Sequence, residues 1–172
     1  EIAMQAAQTG RLVLSTLHTN DAPSALARLS HMGVAPFQVA ASVSLIMAQR
    51  LVRCLCVQCK LPLSQAQRDI WQHSLCAQDL RIAQEHGLAS ATLYRAVGCK
   101  ACHQGYKGRT GLFQVMPITA AMQRLIVQEQ DSAALTQQAL NEGVHTLRQA
   151  GWLKAMQGIT SIEEVMGATV HA

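Results

Sequence analysis

The sequence predicts an α/β fold with an inserted cysteine-rich subdomain and a helical tail. Three observations carry that prediction. An apolar Leu12-Val13-Leu14 run is followed by capped helical segments, two C-x-x-C pairs bracket residues 60–98, and from Thr119 onward apolar residues recur at helical spacing between Ser/Thr starts and Gly stops. The composition fits an ordered chain: 49% of the 172 residues are hydrophobic and only 14% charged. Aromatics make up 3%, so a core must be assembled from Ala, Leu, Val, Ile and Met.

The length allows one domain, or one with a small appendage. The 14 Lys and Arg against 10 Asp and Glu give a net charge of +4, with no run of basic residues. Neutralising a phosphate backbone requires cations concentrated on one face, so a nucleic-acid partner is not expected. The chain opens on Glu1-Ile2-Ala3 without Met, and we expect it to be a piece of a longer protein. No charged-then-apolar leader is visible. The longest apolar stretch, Val34 to Met47, is broken by Pro36, Gln38, Ser42 and Ser44 and falls short of the roughly 20 residues of a membrane span. Direct membrane insertion is therefore not expected.

Taken in order, Glu1 to Gln8 reads as a helix end stopped by Gly10. Leu12-Val13-Leu14 suits a buried strand. Asp21 with Pro23 just inside starts a helix in which Ala25, Leu26, Leu29 and Met32 recur until Gly33. A second, almost wholly apolar helix is expected from Pro36 to about Gln49, and a strand over Arg50 to Leu55. Ser64 to His73 and Asp79 to His86 read as amphipathic helices, with Ser64 a cap and Gly87 a stop. Thr92 to Val97 leads to the second cysteine pair. Gln104 to Met116 reads as a glycine-rich turn and then a strand. Helices are expected after caps at Ser132, Thr146 and Ser161, the last with Glu163 and Glu164 in its first turn.

The cysteines carry the strongest local signal. Cys56, Cys59, Cys99 and Cys102 supply four thiolates, and each C-x-x-C can turn both sulfurs toward one point, as a tetrahedral Zn²⁺ requires. Redox-active or simply buried thiols are the plainer alternative. Cys54 and Cys76 read as small buried hydrophobes, with Cys54, His73 and His103 as competing ligands.

Two other places could bear chemistry. Thr16, His18, Thr19 and Asn20 follow the expected strand, at the end where open α/β sheets bind ligands; a loop histidine satisfying a backbone group competes with that reading. Arg109 lies among Gly105, Gly108 and Gly111 and could approach a phosphate, against the plainer reading of an exposed arginine on a hairpin. No G-x-x-x-x-G-K-[ST] occurs, so the chain has no phosphate-cradling loop of its own.

Ala6 to Ala22, Met32-Gly33-Val34, Ala48 to Arg53, both C-x-x-C pairs, Gly105 to Gly111 and Gly158 to Val165 together resemble, in order, the carboxyl-terminal part of the type II secretion and type IV pilus assembly ATPases, the PilB/GspE group. The resemblance spans nearly the whole chain except the segment between the cysteine pairs. It implies the end of a RecA-like P-loop ATPase core with a histidine box over residues 1–53, a tetracysteine zinc subdomain over 54–108, and a return strand with a helical subdomain over 109–172. His18 falls on the second histidine of the box, which is implied to sit near the γ-phosphate of ATP. The first box histidine is Arg11 here, which keeps a cation and removes a titratable imidazole. Arg109 falls on the arginine of the family's G-Y-x-G-R-x-G stretch and is implied to contact nucleotide. The four cysteines match the family's zinc ligands and argue against the related retraction ATPases.

What the resemblance implies is a hexameric, cytoplasmic motor at the inner-membrane face. It would hydrolyse ATP with Mg²⁺ and work with pilus or secretion platform proteins. This chain, without the P-loop and Walker B acids, is expected to be inactive alone. Gln114 leans toward pilus assembly, since secretion members more often resemble a glutamate there. A non-enzymatic zinc module that binds a protein, or a degenerate paralogue, is the alternative.

Overall fold

The computed structural model describes residues 2–169. The chain runs α1 (Ile2–Gln8), α2 (Ala22–His31), α3 (Pro36–Ser42), β1 (Leu45–Leu55), β2 (Leu61–Pro62), α4 (Gln65–Ser74), α5 (Ala77–Glu85), β3 (Tyr94–Arg95), β4 (Tyr106–Pro117), α6 (Ala120–Val127), α7 (Ser132–Asn141), α8 (Leu147–Met156) and α9 (Ile162–Ala168). This is a mixed α/β architecture. Strand β1 pairs with β4, and β2 with β3. The chain forms two compact units, each discontinuous in sequence: one holds the segment up to Ala48 and Phe113–Thr146, the other Gln49–Leu112 and the segment from Leu147 onward.

Local chemistry accounts for most boundaries. The Asp21 carboxylate accepts from the Ser24 N–H at 2.8 Å and the Asp21 N–H donates back to Ser24 Oγ, a reciprocal cap that starts α2. Ser64 caps α4 as its position predicts, and Thr119 caps α6 where the helical pattern begins. Helix α7 opens one residue earlier than expected, because Asp131 rather than Ser132 accepts from Ala134 N–H, at 2.8 Å.

Three expectations need correction. Leu12-Val13-Leu14 is not a buried strand: residues 11–19 carry no regular structure, and Leu12 and Leu14 are each 87% exposed. A strand requires a neighbour for its backbone groups, and among the described residues none lies alongside. The apolar segment after Pro36 does not continue as a helix to Gln49. It ends at Ser42, and β1 begins at Leu45. A short apolar run suits a buried helix or a buried strand equally, and pairing with β4 decides for the strand. Along β1 every second residue from Ile46 to Cys54 is buried or half-buried, while Leu45, Met47 and Leu51 point outward. Finally, β4 starts at Tyr106, so the glycine-rich stretch is the strand itself, and the turn is the His103–Tyr106 bridge before it.

Within the first unit, α3 packs on α6, α6 on α7, and α2 on α7. The buried Gln114 of β4 accepts from the Ala22 N–H at 3.0 Å, which fixes the first turn of α2. Within the second, Trp71 and Trp152 meet edge to face at 5.5 Å, packed with Ala83, Leu88 and Leu93. Gly151 lets α8 and α9 close on each other, since a Cβ there would lie 2.4 Å from Val165 Cγ1.

Candidate metal centre

The end of β1 delivers Leu55 and Cys56 directly into the first knuckle. There Cys59 and Lys60 N–H groups both donate to the Cys56 carbonyl, folding the chain into a tight turn. The second knuckle repeats the device: Cys102 N–H donates to the Cys99 carbonyl, and Cys99 N–H donates to Cys102 Sγ at 3.3 Å. Two contacts bring the knuckles together. Cys56 N–H donates to the Gly105 carbonyl at 2.8 Å, and the short β2–β3 ladder pairs Leu61 with Arg95 and Pro62 with Tyr94, closing the segment between the knuckles at its base. Gly105 sits at φ +87°, and a Cβ there would come within 2.7 Å of Ala96 Cβ and the Val97 nitrogen, so only glycine fits this approach.

The four Sγ atoms of Cys56, Cys59, Cys99 and Cys102 consequently lie within 4.8 Å of one another. The separations are 4.0 Å for Cys56–Cys99, 3.7 Å for Cys59–Cys102 and 3.6 Å for Cys99–Cys102. Tetrahedral thiolates at about 2.3 Å from a zinc ion would stand about 3.8 Å apart, so the cluster fits that ion in both donor type and size. Four soft donors leave no open position, which is the arrangement of a structural rather than a catalytic site. The protons are unevenly held. Desolvation pushes the Cys59 thiol up to about 11. At Cys102 desolvation is outweighed by hydrogen bonds, first from the Cys99 N–H, and the thiol comes down to about 7. A divalent cation would displace these protons, because the thiolate is the ligand.

The surroundings of the first knuckle were not foreseen. Lys60 Nζ donates to the Gly158 carbonyl at 2.7 Å and lies 4.3 Å over the Tyr94 ring, while Leu55 N–H donates to the Ile159 carbonyl at 2.8 Å. Just upstream, Arg53 forks onto Glu164, with Nη2 to Oε2 at 2.7 Å, and stacks over Tyr106 at 4.1 Å. Thr160 Oγ1 donates to the Arg53 carbonyl, and Tyr106 Oη shares a hydrogen bond with Ser161 Oγ at 2.8 Å. These contacts join positions from 34 to 111 residues apart in sequence, so no local pattern could announce them.

The remaining expected positions are placed as follows. Cys76 is not a buried hydrophobe: it is exposed, and its Sγ accepts from Asp79 N–H at 3.4 Å as the cap of α5. Cys54 is half-buried on β1 and outside the sulfur cluster. His73 Nδ1 is engaged with the Asp69 carbonyl on its own helix, and His103 lies in the bridge that leads to β4; neither joins the sulfurs. His18 is exposed on the irregular segment before α2, where Thr19 Oγ1 donates to the Asp21 carbonyl. Arg109 is exposed on β4. His18 belongs to the first compact unit and Arg109 to the second.

A mixed α/β chain that closes four thiols around one point has the donor set of a structural metal site. It belongs to the family described as "Type II/IV secretion system protein", whose model it matches over residues 1–167. It is 47% identical over 169 residues to the type IV pilus assembly ATPase PilB of Pseudomonas aeruginosa, covering 98% of this chain and 28% of that protein. It is 42% identical over 170 residues to type II secretion system protein E of the same organism, covering 98% and 32%. To the type II secretion system ATPase E of Vibrio cholerae it is 39% identical over 170 residues, again covering 98% and 32%. The chain thus spans about a third or less of the length of these relatives. Among the described residues no helix is long and apolar enough to cross a membrane.

Proposed function

We propose that this chain is the carboxyl-terminal part of a hexameric ATPase that drives type IV pilus assembly or type II secretion. The observation that carries the reading is the family match over residues 1–167, together with 39 to 47% identity to proteins named as ATPases of those two systems. In this reading residues 1–53 complete a RecA-like core, 54–108 form the zinc subdomain, and 109–172 return to the core and end in the helical tail. The P-loop that would hold ATP and Mg²⁺ lies elsewhere in the longer protein, since phosphoryl transfer needs such a cradle and this chain has none. His18, exposed on its loop, faces the γ-phosphate as a hydrogen-bond donor, and Arg109 contacts nucleotide. Zinc on Cys56, Cys59, Cys99 and Cys102 locks two distant chain segments into one block. The motor works at the cytoplasmic face of the inner membrane with platform proteins, and Gln114 leans toward pilus assembly.

The test is phosphate release from ATP by the 172-residue chain and by the same chain joined to the preceding part of its own polypeptide. The short chain is expected to be inactive. The longer one is expected to turn over ATP and to lose most of that activity on His18→Ala. Turnover by the short chain that survives His18→Ala would refute both roles.

A further inference from the structure

The four thiols of the metal centre differ in their access to solvent. Cys56 is 2% exposed, its N–H is tied to the Gly105 carbonyl, and the knuckle it opens is anchored through Lys60 Nζ on the Gly158 carbonyl. Cys99 is exposed together with Gly98, Lys100 and Ala101, and residues 96–102 lie outside any helix or strand. A small oxidant in solution therefore meets Cys99 first. A second sulfur stands beside it: Cys102 Sγ is 3.6 Å from Cys99 Sγ, and the Cys102 N–H on the Cys99 carbonyl closes both residues into one turn. Distance alone does not select this pair, since Cys59–Cys102 is 3.7 Å and Cys56–Cys99 is 4.0 Å. Local freedom selects it. A disulfide of about 2.05 Å requires the sulfurs to close by about 1.5 Å, which inside one exposed turn displaces a few residues, whereas across the knuckles it pulls on the anchored one. Cys76 is exposed as well, but it stands outside the sulfur cluster.

We propose that Cys99 and Cys102 are a modification site for hydroperoxides, a pair that closes to a disulfide and so removes two of the four donors from the metal centre. The link to the metal rests on the zinc reading of the site, and no part of it rests on the ATPase role. The Cys99 sulfur attacks one oxygen of the hydroperoxide. An S–O bond forms as the O–O bond breaks, and the departing oxygen takes up a proton from solvent to leave as water or an alcohol. The Cys102 thiolate then attacks the Cys99 sulfenic sulfur: the S–S bond forms, the S–O bond breaks, and hydroxide leaves and is protonated to water. Two electrons pass from the two sulfurs to one hydroperoxide, and a zinc ion, which has no redox chemistry, keeps its charge. Cys56 and Cys59 alone cannot complete a shell of four sulfurs, so metal affinity falls with the oxidation. A dithiol reductant reverses it by exchange.

The test is stepwise addition of hydrogen peroxide to the zinc-loaded 172-residue chain, as wild type and with Cys54→Ser and Cys76→Ser, which leave only the four thiols of the site. A chromogenic chelator follows zinc release, and alkylation with peptide mass spectrometry under non-reducing conditions locates the oxidised sulfurs. Trypsin cuts after Lys100, between the two cysteines, so a Cys99–Cys102 disulfide joins peptides 96–100 and 101–107. A bridge inside the first knuckle stays within peptide 54–60, and a bridge across the knuckles joins that peptide to one of the others. The expected result in both chains is about one zinc released for each peroxide consumed, the 96–100 to 101–107 species as the main product, Cys56 and Cys59 still open to alkylation, and recovery of bound zinc after a dithiol and fresh zinc are added. A main product bridged across the knuckles or within the first one would overturn the proposal. So would a Cys99 that stops at sulfinic acid, or zinc retained against about a tenfold excess of peroxide. A chain that takes up no zinc and still forms the Cys99–Cys102 bridge would overturn the metal reading while upholding the reactive pair.

Discussion

Gly105 shows how much one residue can decide. Its carbonyl receives the N–H of Cys56, its φ is +87°, and its missing side chain leaves room for Ala96 and Val97 at 2.7 Å. An alanine would meet backbone rather than a side chain that can turn away. Gly105→Ala is therefore expected to cost about 1–3 kcal/mol and to weaken metal binding with it. Urea denaturation and competition for zinc with a chromogenic chelator measure the two effects, and a wild-type midpoint would show that the 96–97 segment relaxes freely. Cys99→Ser is expected to lower the melting temperature and to reduce bound zinc per chain, and an unchanged melting curve would remove the structural role from that thiol. At this scale the sulfur site was legible, because each C-x-x-C is a local turn and its spacing is written in the sequence. Lys60 was not, because its partner Gly158 lies far along the chain. Cys76 was misjudged because a thiol capping a helix looks in sequence like any small apolar residue.

Helix and strand boundaries were legible wherever a side chain competes locally for backbone groups, as Asp21, Ser64, Thr119 and Ser161 do. They were not legible where tertiary pairing decides, as at β1, whose first half has no local feature that distinguishes it from a helix. Helix α9 illustrates both. Ser161 Oγ accepts from the Glu164 N–H as a cap, which the sequence shows, and it also bonds Tyr106 Oη, which the sequence hides. Ser161→Ala is expected to cost about 1–2 kcal/mol, more than Tyr106→Phe, and the pair is expected to be non-additive in a double-mutant cycle. Additive losses would mean that the hydroxyl contact contributes nothing.

The same helix has a pH dependence whose sign follows from Glu164. The hydrogen bond from Arg53 holds the Glu164 carboxyl below its ordinary range, against the opposing effect of burial. A carboxyl with a lowered folded value stabilises above its unfolded pKa, about 4.3, and loses that contribution as pH falls through the lower value. The fork is bidentate and Glu164 is mostly buried, but Arg53 is 44% exposed, so the pair is expected to contribute about 1 kcal/mol or less. The melting temperature of Glu164→Gln should accordingly lie below wild type at pH 7, and the difference should shrink as pH falls below about 4.3 and vanish only below the lowered folded value. A constant offset across that range would assign the loss to packing rather than to charge.

At the scale of the whole chain, the four-thiol site and the tail are one mechanical element of the second unit. Leu55, Cys56 and Lys60 sit at the start of the first knuckle, and Leu55 and Lys60 reach the 158–159 loop that joins α8 to α9, while Arg53 and Thr160 fasten the same loop one step upstream. None of these bonds reaches a sulfur, yet Cys56 and Cys59 lie within five residues of Leu55 and Lys60, on the same stretch of chain. Chelating a metal bound at this site would leave the four thiols, within 4.8 Å of one another, held only by the knuckle backbone bonds and the Cys99 N–H to Cys102 Sγ contact. The knuckle is then free to open, and the loop loses its partners. Chelation is therefore expected to raise amide hydrogen exchange first at residues 55–60 and 99–106, then at Ile159, Glu164 and Val165, with α2 and α6 in the other unit changing least. Mass spectrometry of exchanged peptides before and after chelation measures this. Uniform loss of protection over the chain would mean that the metal holds up the entire fold. Loss confined to the knuckles would mean that the tail is anchored by Trp152, Ile162 and Val165 alone. The ordered outcome, knuckles and then α9, is the one that makes the zinc site a brace for the carboxyl-terminal helix.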